Sequence, residues 1–217
     1  MKRKSVVAAA IVATLTSAYI ANVWWAQGEP VRVANQAIKN VQSDDWKGLY
    51  NLGLKEEIES NGWSATDFEK FAAALSQHLS APDQQGRIVE VSPTSSGGAP
   101  QWAVRNERHF QWVLPVPNGM AKSKDSIINV VTLRDASGQW RVMAGEMVRD
   151  LNRAKRDGVD DVIASLHAAL AEAGLKRYVD FPSGDVISVA RLERVMKGEL
   201  KWTEIWQTAW DYNQGGA

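Results

Sequence analysis

The chain has 217 residues, a formal charge of zero and no cysteine. That length fits one domain with an appendage. The missing thiols exclude disulfides, thiolate nucleophiles, Cys-based zinc sites and an amino-terminal lipid-modified cysteine. Without the basic Met1–Lys4 segment the remainder is slightly acidic and has no cluster of Lys and Arg, which argues against a nucleic-acid surface.

Lys2, Arg3 and Lys4 precede an uncharged run from Ser5 to Gly28. Val6, Val7, Ile11, Val12, Leu15 and Ile20 are apolar, and Trp24 and Trp25 stand at the far end. A helix needs ~20 such residues to cross a bilayer, Trp favours the headgroup layer, and basic residues before the span place that end inside. Residues 1–4 are therefore expected in the cytoplasm and 5–25 as an anchor or uncleaved signal. The rest is expected in the periplasm or outside, on a single-pass protein of the inner (cytoplasmic) membrane. The competing reading is a cleaved signal peptide. Thr16-Ser17-Ala18 offers small residues, but cutting there leaves Tyr19–Trp25 as an apolar tail. Cutting after Ala26 puts Trp24 at the third position before the cut.

Pro30 opens a helical pattern in which Val31, Ala34, Ala37, Ile38 and Val41 recur at spacings of three and four. Ser43-Asp44-Asp45 caps a second helix through Trp46, Leu49, Tyr50 and Leu52. Gly53 and Asn61-Gly62 punctuate the chain. Ser64 or Thr66 caps a further helix with a stripe of Phe68, Phe71, Ala72, Leu75 and Leu79, and Pro82 lies past its end. The period then changes to two. Arg87–Val91 reads as a short strand, Pro93–Pro100 as a loop and Gln101–Leu114 as a long strand. Trp102, Val104, Phe110, Trp112 and Leu114 share one face of that strand, and Arg105, Glu107, His109 and Gln111 share the other. Asn106 and Arg108 interrupt the apolar face, so a bulge or wet patch is expected there. Ile127–Leu133 and Gln139–Met147 read as two more strands around a tight turn at Asp135–Gly138. Helices followed by an antiparallel meander make an α+β pattern.

Helix, Asp44-Asp45-Trp46, a second helix with Phe68-x-x-Phe71, then Val131-Thr132-Leu133-Arg134-Asp135-x-x-Gly138-x-Trp140-Arg141-Val142 resembles the nuclear-transport-factor-2-like (cystatin-like, SnoaL-like) superfamily over about residues 30–150. The resemblance implies a cone, a bent antiparallel sheet wrapped around amino-terminal helices. The superfamily includes dehydratases, isomerases, ligand carriers and non-catalytic scaffolds, some membrane-tethered, so fold does not decide function. Its enzymes typically place an Asp, His or Tyr inside the cone, and no such motif matches here residue by residue.

Past Asp150, Val159, Val162, Ile163, Leu166, Ala169, Leu170 and Ala173 form an amphipathic helix, with Asp160 and Asp161 at its start. Phe181–Gly184 is a turn, and Ser188 caps a helix carrying Leu192, Val195 and Met196. Thr203 is expected to start a final helix, so 157–212 reads as a helical extension. Trp202, Trp206 and Trp210 repeat every four residues. They are candidates for a partner-binding stripe, against the plainer reading of packing onto the fold.

Arg105, Glu107 and His109 are weak catalytic candidates, since His titrates near neutral pH. Their plainer reading is the solvated face of a half-buried strand. His78 and His167 have no partner at i+4 for a helical metal site. Neither a metal nor a cofactor is implied. The pattern points to a membrane-anchored, extracytoplasmic binding or scaffold domain without catalytic activity. Its partner would be another envelope protein or a small apolar ligand. The alternative is a dehydratase- or isomerase-type enzyme, or an apolar ligand carrier, using the cone pocket. The mature protein is expected to retain residues 5–25. Intact mass of the membrane-extracted chain checks this, and a mature start between Tyr19 and Gln27 rules out the anchor.

Overall fold

A computed structural model describes residues 28–76, 87–91, 106–113, 127–153, 159–181 and 184–205. The expected anchor, Arg105, His78, Leu79, Pro82, the Pro93–Pro100 loop, Trp102, Trp206 and Trp210 lie outside them. Among the described residues no helix is long and apolar enough to cross a membrane.

The helical half follows the apolar spacing. Helix α1 spans 28–42 and buries Ala34, Ala37, Ile38 and Val41. Asp45 caps α2 (Trp46–Leu52) by accepting the Gly48 N–H at 2.8 Å. Helix α3 (Lys55–Asn61) has no apolar stripe in its sequence and ends at Gly62, whose φ of 66° satisfies a left-handed cap. Ser64 and Asp67 cap α4 (Ala65–Ser76) reciprocally, and Phe68, Phe71, Ala72 and Leu75 form its buried face.

Strands β1 (Arg87–Val91), β2 (Glu107–Val113), β3 (Ile127–Arg134) and β4 (Trp140–Val142) make an antiparallel sheet in that order. The architecture is thus α+β. The β2–β3 register runs without interruption from Glu107 opposite Leu133 to Val113 opposite Ile127. The bulge expected near Arg108 is absent from this ladder. Asn106 instead forms the turn before β2, and its carbonyl accepts the Arg134 N–H at 2.8 Å. Phe110, Trp112, Ile128 and Val130 point from one face into the main core. The Asp135–Gly138 turn forms as read, with Gly138 at φ 81°.

The expected strand over Gln139–Met147 is corrected. It stops at Val142, and Ala144–Arg153 is helix α5. The apolar residues Ala144, Met147, Val148 and Leu151 follow a helical spacing that the alternation of Trp140, Val142 and Ala144 conceals. Strand β3 therefore loses its neighbour partway along. The Met143 N–H still donates to the Val131 carbonyl at 2.9 Å, and Asp150 takes over the next donor by accepting the Asn129 N–H at 3.3 Å. A buried strand N–H must be paired, and here a carboxylate on a helix does it.

Helix α6 (Val159–Glu172) packs on α4 through Ile163, Leu166 and Leu170. Phe181 and Gly184, the ends of the expected turn, stand between two strands the sequence did not announce, β5 (Arg177–Asp180) and β6 (Asp185–Ser188). Ser188 caps α7 (Val189–Met196) by accepting the Arg191 N–H at 3.2 Å. The final helix expected from Thr203 is, within the described residues, a single 3₁₀ turn at Trp202–Glu204. Lys201 and Glu204 cap it, and the Glu204 carbonyl accepts from Arg191 Nη2 at 2.9 Å, which draws the turn against α7. One apolar core holds residues from Ala34 to Ile205, so α6, β5, β6 and α7 share it with α1–α5.

Trp140 is 5% exposed and the Arg134 guanidinium lies 5.2 Å from its ring centroid. Trp140→Ala is expected to cost ~3–5 kcal/mol, the range for removing a buried large aromatic, measured as a shift in chemical denaturation midpoint.

Candidate functional site

Polar residues of three elements converge where α3, α5 and β5 meet. Glu57, on α3, is 0% exposed. Its Oε2 accepts the Gly145 N–H at 3.2 Å and its Oε1 the Glu146 N–H at 3.0 Å. These belong to the first turn of α5, whose N–H groups have no partner within the helix. A side chain 88 residues away thus does the work of a cap.

The energetics are closely balanced. Burying a carboxylate costs several kcal/mol. Two charge-assisted hydrogen bonds return ~1.5–3 kcal/mol each and the helix dipole up to ~2 kcal/mol. Burial wins by a margin and pushes the Glu57 carboxyl up to about 7, with the N–H groups and Arg149 holding it below the value burial alone would give. Glu146, at the rim, is also raised. Burial is the main cause, Arg149 opposes it, and the neighbouring Asp150, Glu57 and Asp180 add to it.

Arg149 is the centre of the cluster. Its guanidinium pairs with Asp180 on β5, and its Nη2 lies 3.4 Å from both Glu146 and Asp150. Arg153 Nη2 approaches Asp150 at 3.8 Å. Beside this group Asn61 clasps β5 through backbone atoms. Its Nδ2 donates to the Val179 carbonyl at 3.0 Å, and its Oδ1 accepts the Val179 N–H at 2.7 Å. Tyr178, 0% exposed, stacks on Phe71 at 6.0 Å, and its buried hydroxyl has no hydrogen-bond partner among the described residues. Burial pushes its phenol far up, so it stays protonated. Trp63 lies within 5.3–6.0 Å of Phe68, Phe71 and Tyr178, so rings fill the interior beside the cluster.

The residues singled out from sequence stand elsewhere. Glu107 and His109 are both half-buried on the outward face of β2, where Glu107 Oε1 pairs with His109 Nε2. That hydrogen bond holds the Glu107 carboxyl below its usual range. Arg105 is outside the described residues, so the group is a pair in this structure. Trp202 is partly buried against the main core. His167 lies 3.5 Å from Glu193 of α7. Among the described residues no group of three or more His, Asp or Glu is placed to hold a metal ion.

A second feature is an open cleft of about 580 Å³ between the α2–α3 elbow and the Asp135 turn, lined by Tyr50, Lys55, Ile58, Glu59, Trp63 and Arg141 among others. Its arginine is committed to structure. Arg141 donates to Asp135 Oδ2 at 3.0 Å, to the Asn51 carbonyl at 3.0 Å and to Gln139 Oε1 at 2.7 Å.

No family model matches the chain, and neither the curated proteins nor the solved structures contain a match.

A Cβ on Gly145 would lie 2.7 Å from the Trp63 ring and 2.9 Å from Glu57 Oε1. Gly145→Ala should therefore destabilise the fold by ~1–3 kcal/mol, the usual cost of overpacking, as read from urea unfolding. The cluster also sets a pH dependence. A carboxyl whose pKa is higher in the folded chain binds its proton more tightly there, so stability falls as pH rises from the unfolded value near 4.5 through about 7 for Glu57. Asp67, Glu107 and Asp135 are held low, Asp135 at about 2, and their contribution is lost as pH falls through those values. Unfolding free energy should peak near pH 4–5 and decline by roughly 3 kcal/mol or more toward pH 8. Glu57→Gln should flatten that decline.

Proposed function

We propose that this chain is a membrane-anchored, extracytoplasmic binding or scaffold domain without catalytic activity. Residues 5–25 would tether it to the inner membrane and the folded part would stand outside. The observation that carries the non-catalytic reading is the filled interior. Trp63, Phe68, Phe71 and Tyr178 pack ring on ring inside the fold, beside the buried carboxyls. The uncharged Ser5–Gly28 run behind three basic residues supports the address. Membership of that superfamily is part of the proposal. It is supported by helices α1, α2 and α4 leading into an antiparallel meander and by the strand–turn–strand at Val131–Val142.

An acid–base enzyme is the second reading. It is favoured by raised carboxyl pKa values beside the buried Tyr178 hydroxyl. It is the weaker one because both Glu57 oxygens already accept backbone N–H groups and the side chain has no exposure to substrate.

The test is isolation of the full-length chain from membranes in mild detergent after brief cross-linking. The expected result is sedimentation with the inner membrane, protease sensitivity only from the outer side, and a stoichiometric envelope protein partner. A soluble chain that turns over or retains a small molecule seen by native mass spectrometry would replace this proposal with the enzyme or carrier.

A further inference from the structure

We infer that Glu57, Glu146, Arg149, Asp150 and Asp180 form a proton-gated clasp that locks the β5–β6 hairpin onto α3 and α5 and loosens when the cluster loses protons. This does not depend on where the protein resides or what it binds.

The geometry carries the inference. Three carboxyl groups, Glu146, Asp150 and Asp180, pair with one central guanidinium, and a fourth, Glu57, lies beside them on the Gly145 and Glu146 N–H groups. Glu57 comes from α3, Glu146 and Asp150 from α5, and Asp180 from β5. Each element packed at the seam contributes charge. From α5 come Glu146, Arg149, Asp150 and, at the rim, Arg153. From β5 come Tyr178 and Asp180, and Asp185 of β6 stands directly across the hairpin from Asp180. On α3 itself Lys55 and Glu59 pair with each other on the exposed side at 3.4 Å, and Glu56 is exposed beside them.

Protons decide the charge of this group. With Glu57 and Glu146 protonated, Arg149 and Arg153 balance Asp150 and Asp180. With both ionised, two further negative charges enter a seam without further cations. Like charges at this spacing in a poorly solvated site repel strongly. Burial places the loss of the Glu57 proton at about pH 7, inside the range a bacterial envelope or cell meets.

The seam is also where the hairpin can let go. The Arg149–Asp180 pair and the two Asn61–Val179 hydrogen bonds tie β5 to the helices. Among the described residues, β5 and β6 pair with each other as a separate two-stranded sheet. A two-stranded hairpin is marginal alone and depends on what it packs against. Loosening it would uncover Tyr178 and Ile187, each 0% exposed when closed, while the β1–β4 sheet keeps its own ladder. Local opening of this kind, below the global unfolding free energy, is a recognised property of such units.

Amide hydrogen exchange of the full-length chain between pH 5.5 and 9, corrected for the intrinsic pH dependence of exchange, tests the clasp. The amides to follow are Val179, Gly145 and Glu146, with Phe110 and Val130 of the β2–β3 ladder as internal controls. Protection at Val179 should fall ~10-fold or more between pH 6 and 9, one pKa unit of differential proton binding being a factor of ten, while the ladder amides stay protected. In Glu57→Gln the fall should shrink markedly. If that variant does not fold, Glu146→Gln serves, since this side chain sits at the rim with a single 3.4 Å contact to Arg149, and it should reduce the fall. Constant protection at Val179 in the parent chain overturns the clasp. So does an equal loss in the ladder, which would mean global rather than local opening, or a pH profile unchanged by both substitutions.

Discussion

The N–H groups that open α5 need acceptors, and Glu57 supplies them from another helix. Much of the structure depends on that contact. It ends β4 at Val142, because the chain must turn into a helix there. It fixes the rotation of α5, which sends Met147, Val148 and Leu151 into the core and Arg149 toward β5. The same rotation lets Asp150 pair the strand N–H of Asn129 that β4 no longer reaches. Gly145 has to lack a side chain for the carboxyl and the Trp63 ring to come this close. A hydrophobic residue in place of Glu57 would leave those N–H groups buried and unpaired, at ~1–3 kcal/mol each.

The two candidate regions differ in what their charges are doing. Around the open cleft, Arg141 and Asp135 are bound into the turn and the α2 carbonyl edge, so their charges serve the local backbone. In the seam the charges outnumber their counter-ions and sit between separate elements. A surplus of carboxyls is tolerated only if some hold protons, so the inferred response of the seam is to rising pH, whereas Asp135 at the cleft is held low and responds to acid. The paired Glu107 and His109 on β2 fall between these cases. They are half-exposed and pair with each other on the outward face of the strand.

The long helices and the Asp135–Gly138 hairpin were legible from sequence because a repeated apolar spacing or a turn signal runs along one local segment. Phe68, Phe71 and Leu75 on α4, and Ile163, Leu166 and Leu170 on α6, carry that signal. Helix α3 does not, since only Ile58 within Lys55–Asn61 is apolar. Strands β5 and β6, four residues each, are too short to show a period. Trp140, Val142 and Ala144 alternate as a strand would, and the helical spacing that begins at Ala144 overlaps them. The seam was not legible at all. Glu57, Asn61 and Asp180 are residue types that are normally exposed, and only the tertiary fold brings partners from 88 and 118 residues away to cover them. The anchor rests on the opposite situation, a purely local signal that the described residues do not include.

The 118-residue separation between Asn61 and Val179 also sets an order of events at birth. At ~5–20 residues per second of synthesis, β5 emerges roughly 6–24 s after α3. Until then Glu57 and Asn61 have no lid, and the aromatic cluster of Trp63, Phe68 and Phe71 lacks the Tyr178 ring that closes it. Ile205, in the same core, arrives later still. The core is complete only once residues through Ile205 have emerged. Through most of synthesis the ring faces of Trp63, Phe68 and Phe71 therefore wait for the strand that covers them.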